Sequence, residues 1–135
     1  MAIFLSNDVV VSLNSVDLSD HVTSATINRV FDELEVTAMG DTAHKFVKGL
    51  EASTITLDFL NDTAAGEVLA TLQAAWGTTV ALTLKQTDAA TSATNPLYST
   101  TVLVNNTTDI NGAVGDISTQ SITFTCNSPI VITTS

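Results

Sequence analysis

The sequence predicts a mainly β domain, a sandwich or barrel-like arrangement of strands flanked by one α-helix. Several segments are rich in β-branched residues and alternate between apolar and polar side chains with a period of two. Turn-forming residues separate these segments, and only the stretch at about 63–76 has helical periodicity. Because the 135 residues contain no linker and no internal repeat, we expect a single domain over residues 1–135.

The N-terminal segment predicts a small β-hairpin. Residues 9–13 read VVVSL, and VDL follows at 16–18 after a turn at Asn14 and Ser15. Residues 1–22 are therefore expected to form an N-terminal arm that includes this hairpin.

A longer extended segment is predicted from Thr23 to Met39. FDELEV within it is also compatible with a helix, but its β-branched neighbours and the following Gly-Asp turn favour extended backbone, with a β-bulge near Asp32. Residues 40–50 begin at a glycine, carry a second glycine near their end, and are predicted to form a loop.

STITLDFL at 53–60 alternates most clearly of all the segments. This pattern predicts a strand that buries Ile55, Leu57 and Phe59 on one face and leaves the other face polar.

The predicted helix at 63–76 has capping candidates at Asn61 and Asp62 and a glycine just beyond its end. Its apolar positions recur every three to four residues and end at Trp76. We therefore expect the single tryptophan to lie in the core.

The C-terminal half predicts four more strands. Residues 78–86 and 97–106 flank a polar loop and are expected to form a hairpin. Strands at 118–126 and within 129–135 follow.

Composition excludes several classes of function. Four basic residues stand against 14 acidic ones, which gives a net charge of −10 and makes binding to nucleic acid through its phosphates untenable. No apolar run is long enough for a membrane span, and no secretory signal is apparent, so a soluble protein without a membrane partner is expected. A single cysteine, Cys126, shares its strand parity with apolar residues and predicts a buried, inert thiol.

No catalytic constellation stands out, and neither an enzyme nor a cofactor or metal is predicted. His21 and His44 lie in different predicted loops, outside any triad or metal-spacing motif. Residues 109–116 resemble a calcium loop in composition, but the glycine and the last carboxylate are misplaced, which favours a turn.

Residues 16–72 are similar to the major tail tube proteins of siphophages. The similarity is carried by the hairpin from Val16 to Val22, the acidic segment from Asp32 to Asp41, the pair Gly49-Leu50 and the strand end Asp58-Phe59, in that order and spacing.

The resemblance implies a virion protein, assembled in the host cytoplasm, that forms the phage tail. In that family a β-sandwich flanked by one helix assembles into rings of six copies, whose inner sheets join into a barrel, and the rings stack into a tube through which DNA is ejected. Implied partners are other copies of the chain and the tape measure, tail terminator and tail-tip proteins. DNA is expected to pass through without specific binding.

Two sets of residues are expected to serve such a tube. The polar faces of the strands offer Asp32, Glu33, Glu35 and Asp58 as candidates for an acidic lumen, and parity does not decide among them. The loop at 40–50 is expected to act as an arm between subunits, with the candidate residues Asp41, His44, Lys45, Phe46, Val47 and Lys48.

Other interpretations remain open. The two lysines of that loop either pair with carboxylates of a neighbouring subunit or are merely solvated. A β-sandwich adhesion or binding module is the main alternative function, although aromatic residues at 5% and a buried tryptophan would give little surface for stacking sugars. A pilus subunit would need a secretory signal.

Overall fold

The computed structural model describes residues 9–134, and these form a main antiparallel sheet, one α-helix and a separate two-stranded hairpin. The strands are β1 (Val10–Leu13), β2 (Val16–Asp17), β3 (Val22–Asn28), β4 (Phe31–Glu35), β5 (Phe46–Glu51), β6 (Thr54–Leu60), β7 (Thr79–Lys85), β8 (Leu97–Leu103), β9 (Thr119–Cys126) and β10 (Val131–Thr133). A 3₁₀ turn at Ser19–His21 follows β2, and the helix α1 spans Val68–Ala75. The mainly β prediction with one helix is confirmed.

The main sheet has the strand order β2-β1-β7-β8-β9-β6-β3 and folds over on itself like a sandwich. Besides β7, the strand β8 pairs with two others, because Val102 pairs with β9 while Ser99 pairs with β10. Inward-facing residues from both ends of the strand order meet in one core cluster, together with residues of α1. The cluster includes Leu13, Leu82, Ile122, Phe124 and Leu72.

The alternation predicted for β6 is confirmed. Ile55, Leu57 and Phe59 are fully buried, while the residues between them are partly exposed. The strand lies between β3 and β9, so both of its edges are paired and its apolar face lies in the centre of the core. Burial of each such side chain contributes about 1.5–3 kcal/mol.

The two hairpins predicted by turn signals are also confirmed. Asn14 and Ser15 both have positive φ, as a two-residue turn between β1 and β2 requires, and β7 pairs with β8 along its whole length. The N-terminal hairpin is nevertheless part of the main sheet rather than a free arm, because Val11 and Leu13 are buried and β1 pairs with β7. Residues 1–8 of the predicted arm lie outside the described residues.

The helix is shorter than predicted, and the expectation for its tryptophan was wrong. The backbone before Val68 forms turns, with Gly66 at a φ of +79°, so that the carboxylate of Asp62 accepts a hydrogen bond from the backbone of Ala64 rather than capping a helix. At the other end Trp76 leaves helical geometry, with ψ at 126°. The Trp76 side chain is 56% exposed and does not belong to the core.

The extended segment 23–39 and the loop 40–50 also need correction. The extended segment is two strands that belong to different sheets, β3 in the main sheet and β4 in the hairpin. The register irregularity near Asp32 is confirmed. Residues 46–50 are predicted to form a loop but belong to the strand β5. This strand pairs with β4 and not with the main sheet.

Candidate functional site: a projecting hairpin arm

The hairpin of β4 and β5, residues 31–51, is called the arm here. Its two strands pair with each other, and neither packs substantially against any other strand or helix between residues 9 and 134. All five residues of β4 are exposed. The arm therefore stands apart from the core that stabilises the rest of the domain.

Large apolar side chains are concentrated on the arm and at its base. Among residues 9–134, eight of the fourteen exposed large hydrophobic residues fall within residues 30–50. Most are about half exposed, and two are exposed almost completely. They are Val30, Phe31, Leu34, Val36, Met39, Phe46, Val47 and Leu50.

Both faces of the arm carry apolar groups. Leu34 lies opposite Val47 on one face, and Phe46 lies opposite Glu35 on the other. An isolated two-stranded hairpin is at best marginally stable in water, and contiguous exposed apolar surface usually marks an interaction site. The arm thus has the properties of a segment that another molecule covers.

Polar contacts order the tip of the arm within the chain itself. Asp41 pairs with Lys45 at 2.9 Å and accepts a hydrogen bond from the backbone N–H of Ala38 at 2.7 Å. These contacts, the backbone bond first, lower the pKa of the Asp41 carboxyl. His44 contacts the carboxylate of Glu35 in the same region.

The two lysines have partners inside the arm. Besides the ion pair of Lys45, the ammonium of Lys48 lies 5.6 Å from the centre of the Phe31 ring, within the range of a cation–π contact. Lys48 also lies opposite Glu33 in the strand register. Within one chain, each lysine thus has a partner in the arm, and Lys45 remains 63% exposed.

The base of the arm is fixed to the main sheet by a small set of hydrogen bonds. The backbone N–H of Ala52 donates to the carbonyl of Val30 at 2.6 Å, and the N–H of Val30 donates to the hydroxyl of Ser53. The carboxylate of Glu51 accepts hydrogen bonds from the backbone N–H of Ile130 at 2.9 Å and from the Ser53 hydroxyl at 2.8 Å. These bonds lower the pKa of Glu51.

The four lumen candidates fall into two places. Asp32, Glu33 and Glu35 lie on β4 in the arm, whereas Asp58 lies on β6, between Ser24 of β3 and a serine of β9. The alternation of side chains along the strands does not distinguish these four candidates in the sequence. The structure divides them into two groups, because β4 and β6 belong to different sheets.

A second surface feature is the free edge of β3. This seven-residue strand ends the main sheet, pairing with β6 on one side and with no other strand in the described part of the chain. Its sequence VTSATIN contains neither a charged residue nor a proline, the devices that usually protect an edge from pairing with another chain.

Sequence reasoning missed a cluster around His21. The ring contacts three carboxylates, those of Asp20, Asp62 and Glu67. The hydrogen bond with Asp20, more than the other contacts, raises the pKa of His21. Of the described residues, only Asp20, His21 and Glu67 place three metal-ligating atoms close together. No local motif signals this group, since more than 40 residues separate its two halves.

No protein-family model matches the chain, and no curated protein is similar enough to be counted as a relative. Among residues 9–134, no helix has the length and apolar character needed to cross a membrane.

Proposed function

We propose that this protein is a non-enzymatic structural subunit that assembles with its own copies into stacked rings, forming the tail tube of a bacteriophage virion. The observation that carries this proposal is the arm, a two-stranded hairpin with apolar side chains on both faces and no partner in the described chain. Six subunits per ring, and contacts with tape measure, terminator and tail-tip proteins, follow from the resemblance of residues 16–72.

Two different surfaces favour an extended assembly over a closed dimer. The arm offers apolar side chains, and the edge of β3 offers unpaired backbone groups. Contacts between unlike patches are heterologous, and such contacts generate rings or helical tubes instead of two-fold dimers. Pairing at the β3 edge would also remove an aggregation hazard of the free subunit.

The charge of the chain suits a conduit for DNA. Six copies at −10 each give a ring of −60, so DNA phosphates would be repelled rather than bound. Salt screens this repulsion over about 8 Å at physiological ionic strength, and it therefore acts only near the wall. Asp58 on the main sheet, or the carboxylates of β4, would line the passage.

Electron microscopy of a variant with a shortened arm tests this function. Glu33 and Lys48 are directly paired, so replacing residues 34–47 by Asn-Gly gives a two-residue hairpin turn and keeps the base of the arm. We expect wild-type protein to form tubes of uniform bore at high concentration. The variant is expected to stay monomeric and folded, because the arm lies outside the core.

A fold control accompanies that test. The far-ultraviolet circular dichroism and cooperative melting of the variant should remain those of a β protein. Tubes from the shortened variant, or wild-type protein that stays monomeric at all concentrations, would contradict the proposal.

One observation favours the alternative, a binding module. Trp76 is exposed and borders a shallow cleft with Gln73, Thr107 and Asp109, an aromatic face beside polar groups of the kind that stacks on sugars. Because it is the single tryptophan, its fluorescence would report binding directly. Saturable quenching by oligosaccharides that is lost in Trp76→Ala would support this second function.

A further inference from the structure

His21 joins two parts of the chain that are far apart in sequence. Its Nε2 lies 2.9 Å from Oδ2 of Asp62, and its Nδ1 lies 2.8 Å from Oδ1 of Asp20 and 3.3 Å from Oε2 of Glu67. The side chain is only 17% exposed, so the ring is held in place between the 3₁₀ turn and the connection from β6 to α1.

These contacts place several negatively charged carboxylates around the His21 ring, and their charge has to be balanced. A neutral imidazole has one N–H and one lone pair, yet both nitrogens of His21 face carboxylate oxygens. Three carboxylates surround the ring, and no lysine or arginine between residues 9 and 134 forms an ion pair with them. The arrangement therefore favours a cation at Nδ1, either a proton or a metal ion.

We propose that Asp20, His21 and Glu67 form a binding site for a divalent metal ion of the zinc class. Nδ1 of His21 and one oxygen from each of the two carboxylates would be the ligands. Asp62 would accept the hydrogen bond from Nε2–H, which leaves the lone pair on Nδ1. Carboxylates orient metal-binding histidines in this way in many zinc sites.

The three ligand atoms lie within 4.8 Å of one another, and two of their separations can be compared directly with a tetrahedral zinc site. Zinc bonds of 2.0–2.2 Å in tetrahedral geometry place neighbouring ligand atoms about 3.4 Å apart. The separation of 3.3 Å between Nδ1 of His21 and Oε2 of Glu67 already matches this value. The separation of 2.8 Å between Nδ1 and Oδ1 of Asp20 has to increase. Asp20 is 77% exposed and free to rotate.

The ligand set also indicates which metal is preferred. Imidazole is a good ligand for Zn²⁺ and its neighbours in the transition series, whereas Mg²⁺ and Ca²⁺ prefer sites made only of oxygen. A bound ion would clamp the turn after the N-terminal hairpin to the start of α1. Because the unfolded chain does not hold these groups together, binding would stabilise the folded state.

Calorimetric titration of the full chain, first stripped of metal with EDTA, tests the site. Above neutral pH, ZnCl₂ should give saturable binding with one ion per chain, while MgCl₂ should give none. His21→Gln should weaken Zn²⁺ binding at least tenfold. The matched control is His44→Gln, which removes the other histidine, an exposed side chain beside a single carboxylate, and should leave binding unchanged.

Glu67→Gln keeps the ring and tests the site independently if His21→Gln does not fold. It should also weaken Zn²⁺ binding, and addition of Zn²⁺ should raise the melting temperature of the wild type but not of this variant. Three results would overturn the site: no saturable Zn²⁺ binding by folded wild-type protein, equal binding of Mg²⁺, or full binding by both variants.

Discussion

Replacing three apolar residues of the arm by threonine should prevent assembly without unfolding the subunit. Leu34, Phe46 and Val47 are 52%, 54% and 48% exposed, so about half of each side chain remains to be buried by a partner. Complete burial of such a side chain contributes about 1.5–3 kcal/mol, which gives about 1 kcal/mol for the remaining half. The three changes together should therefore remove about 3 kcal/mol from each subunit contact.

A loss of this size is large on the scale of association. Since about 1.4 kcal/mol corresponds to a factor of ten, the concentration at which tubes first appear should rise about 100-fold. Threonine retains a high strand propensity, so the hairpin itself should persist. Sedimentation of a dilution series, with electron microscopy of the pellets, measures this concentration.

The matched control moves the same change to another exposed apolar segment. Ile110, Val114 and Ile117 lie in the connection between β8 and β9 and are at least as exposed as the arm residues. The same three-threonine substitution there should shift the assembly concentration much less. An unchanged concentration in the arm variant, or an equal shift in both variants, would refute the reasoning.

Three further predictions concern the arm and the core. A Cβ atom on Gly49 would lie 2.8 Å from the carbonyl oxygen of Asp32, so Gly49→Ala should distort the bulge and destabilise the arm by about 1–3 kcal/mol. The concentration needed for assembly should therefore rise, and a normal tube yield would contradict this prediction. Phe59 is fully buried, and Phe59→Ala should lower the free energy of unfolding by about 3–5 kcal/mol in urea denaturation; a loss under 1 kcal/mol would place the ring outside the core. Hydrogen bonds from Ile130 and Ser53 lower the pKa of Glu51, so they stabilise the fold above the ordinary glutamate pKa of 4.5, and this stabilisation is lost as the pH falls through the lowered pKa. Melting temperatures of wild type and Glu51→Gln should differ at neutral pH and converge in acid; a difference that persists in acid would argue against this linkage.

Much of the fold was predictable because its signals are local. The alternation of β6 identified the buried faces of Ile55, Leu57 and Phe59, since successive side chains of a strand point to opposite faces whatever the partner strand is. The turn at Asn14 and Ser15 was equally readable, because few residue types adopt positive φ readily.

Errors arose where pairing between distant segments decides the outcome. The sequence predicts a loop at Phe46 and Val47, but in the structure they pair with Glu35 and Leu34 of β4. The turn between the two strands has no sequence feature that indicates this pairing. Trp76 continues the apolar stripe of the helix in sequence, yet the helix ends one residue earlier and the ring is exposed.

The sequence by itself determined that the chain is an acidic, mainly β protein with one helix, because charge and side-chain periodicity are properties of neighbouring residues. Only the tertiary structure decided that the acidic segment at 31–35 stands on an arm apart from Asp58, and that His21 meets Asp62 and Glu67. Those relations depend on which strands pair and how the sheet folds. Strand pairing and the folding of the sheet are both determined by long-range packing, which no local sequence pattern reveals.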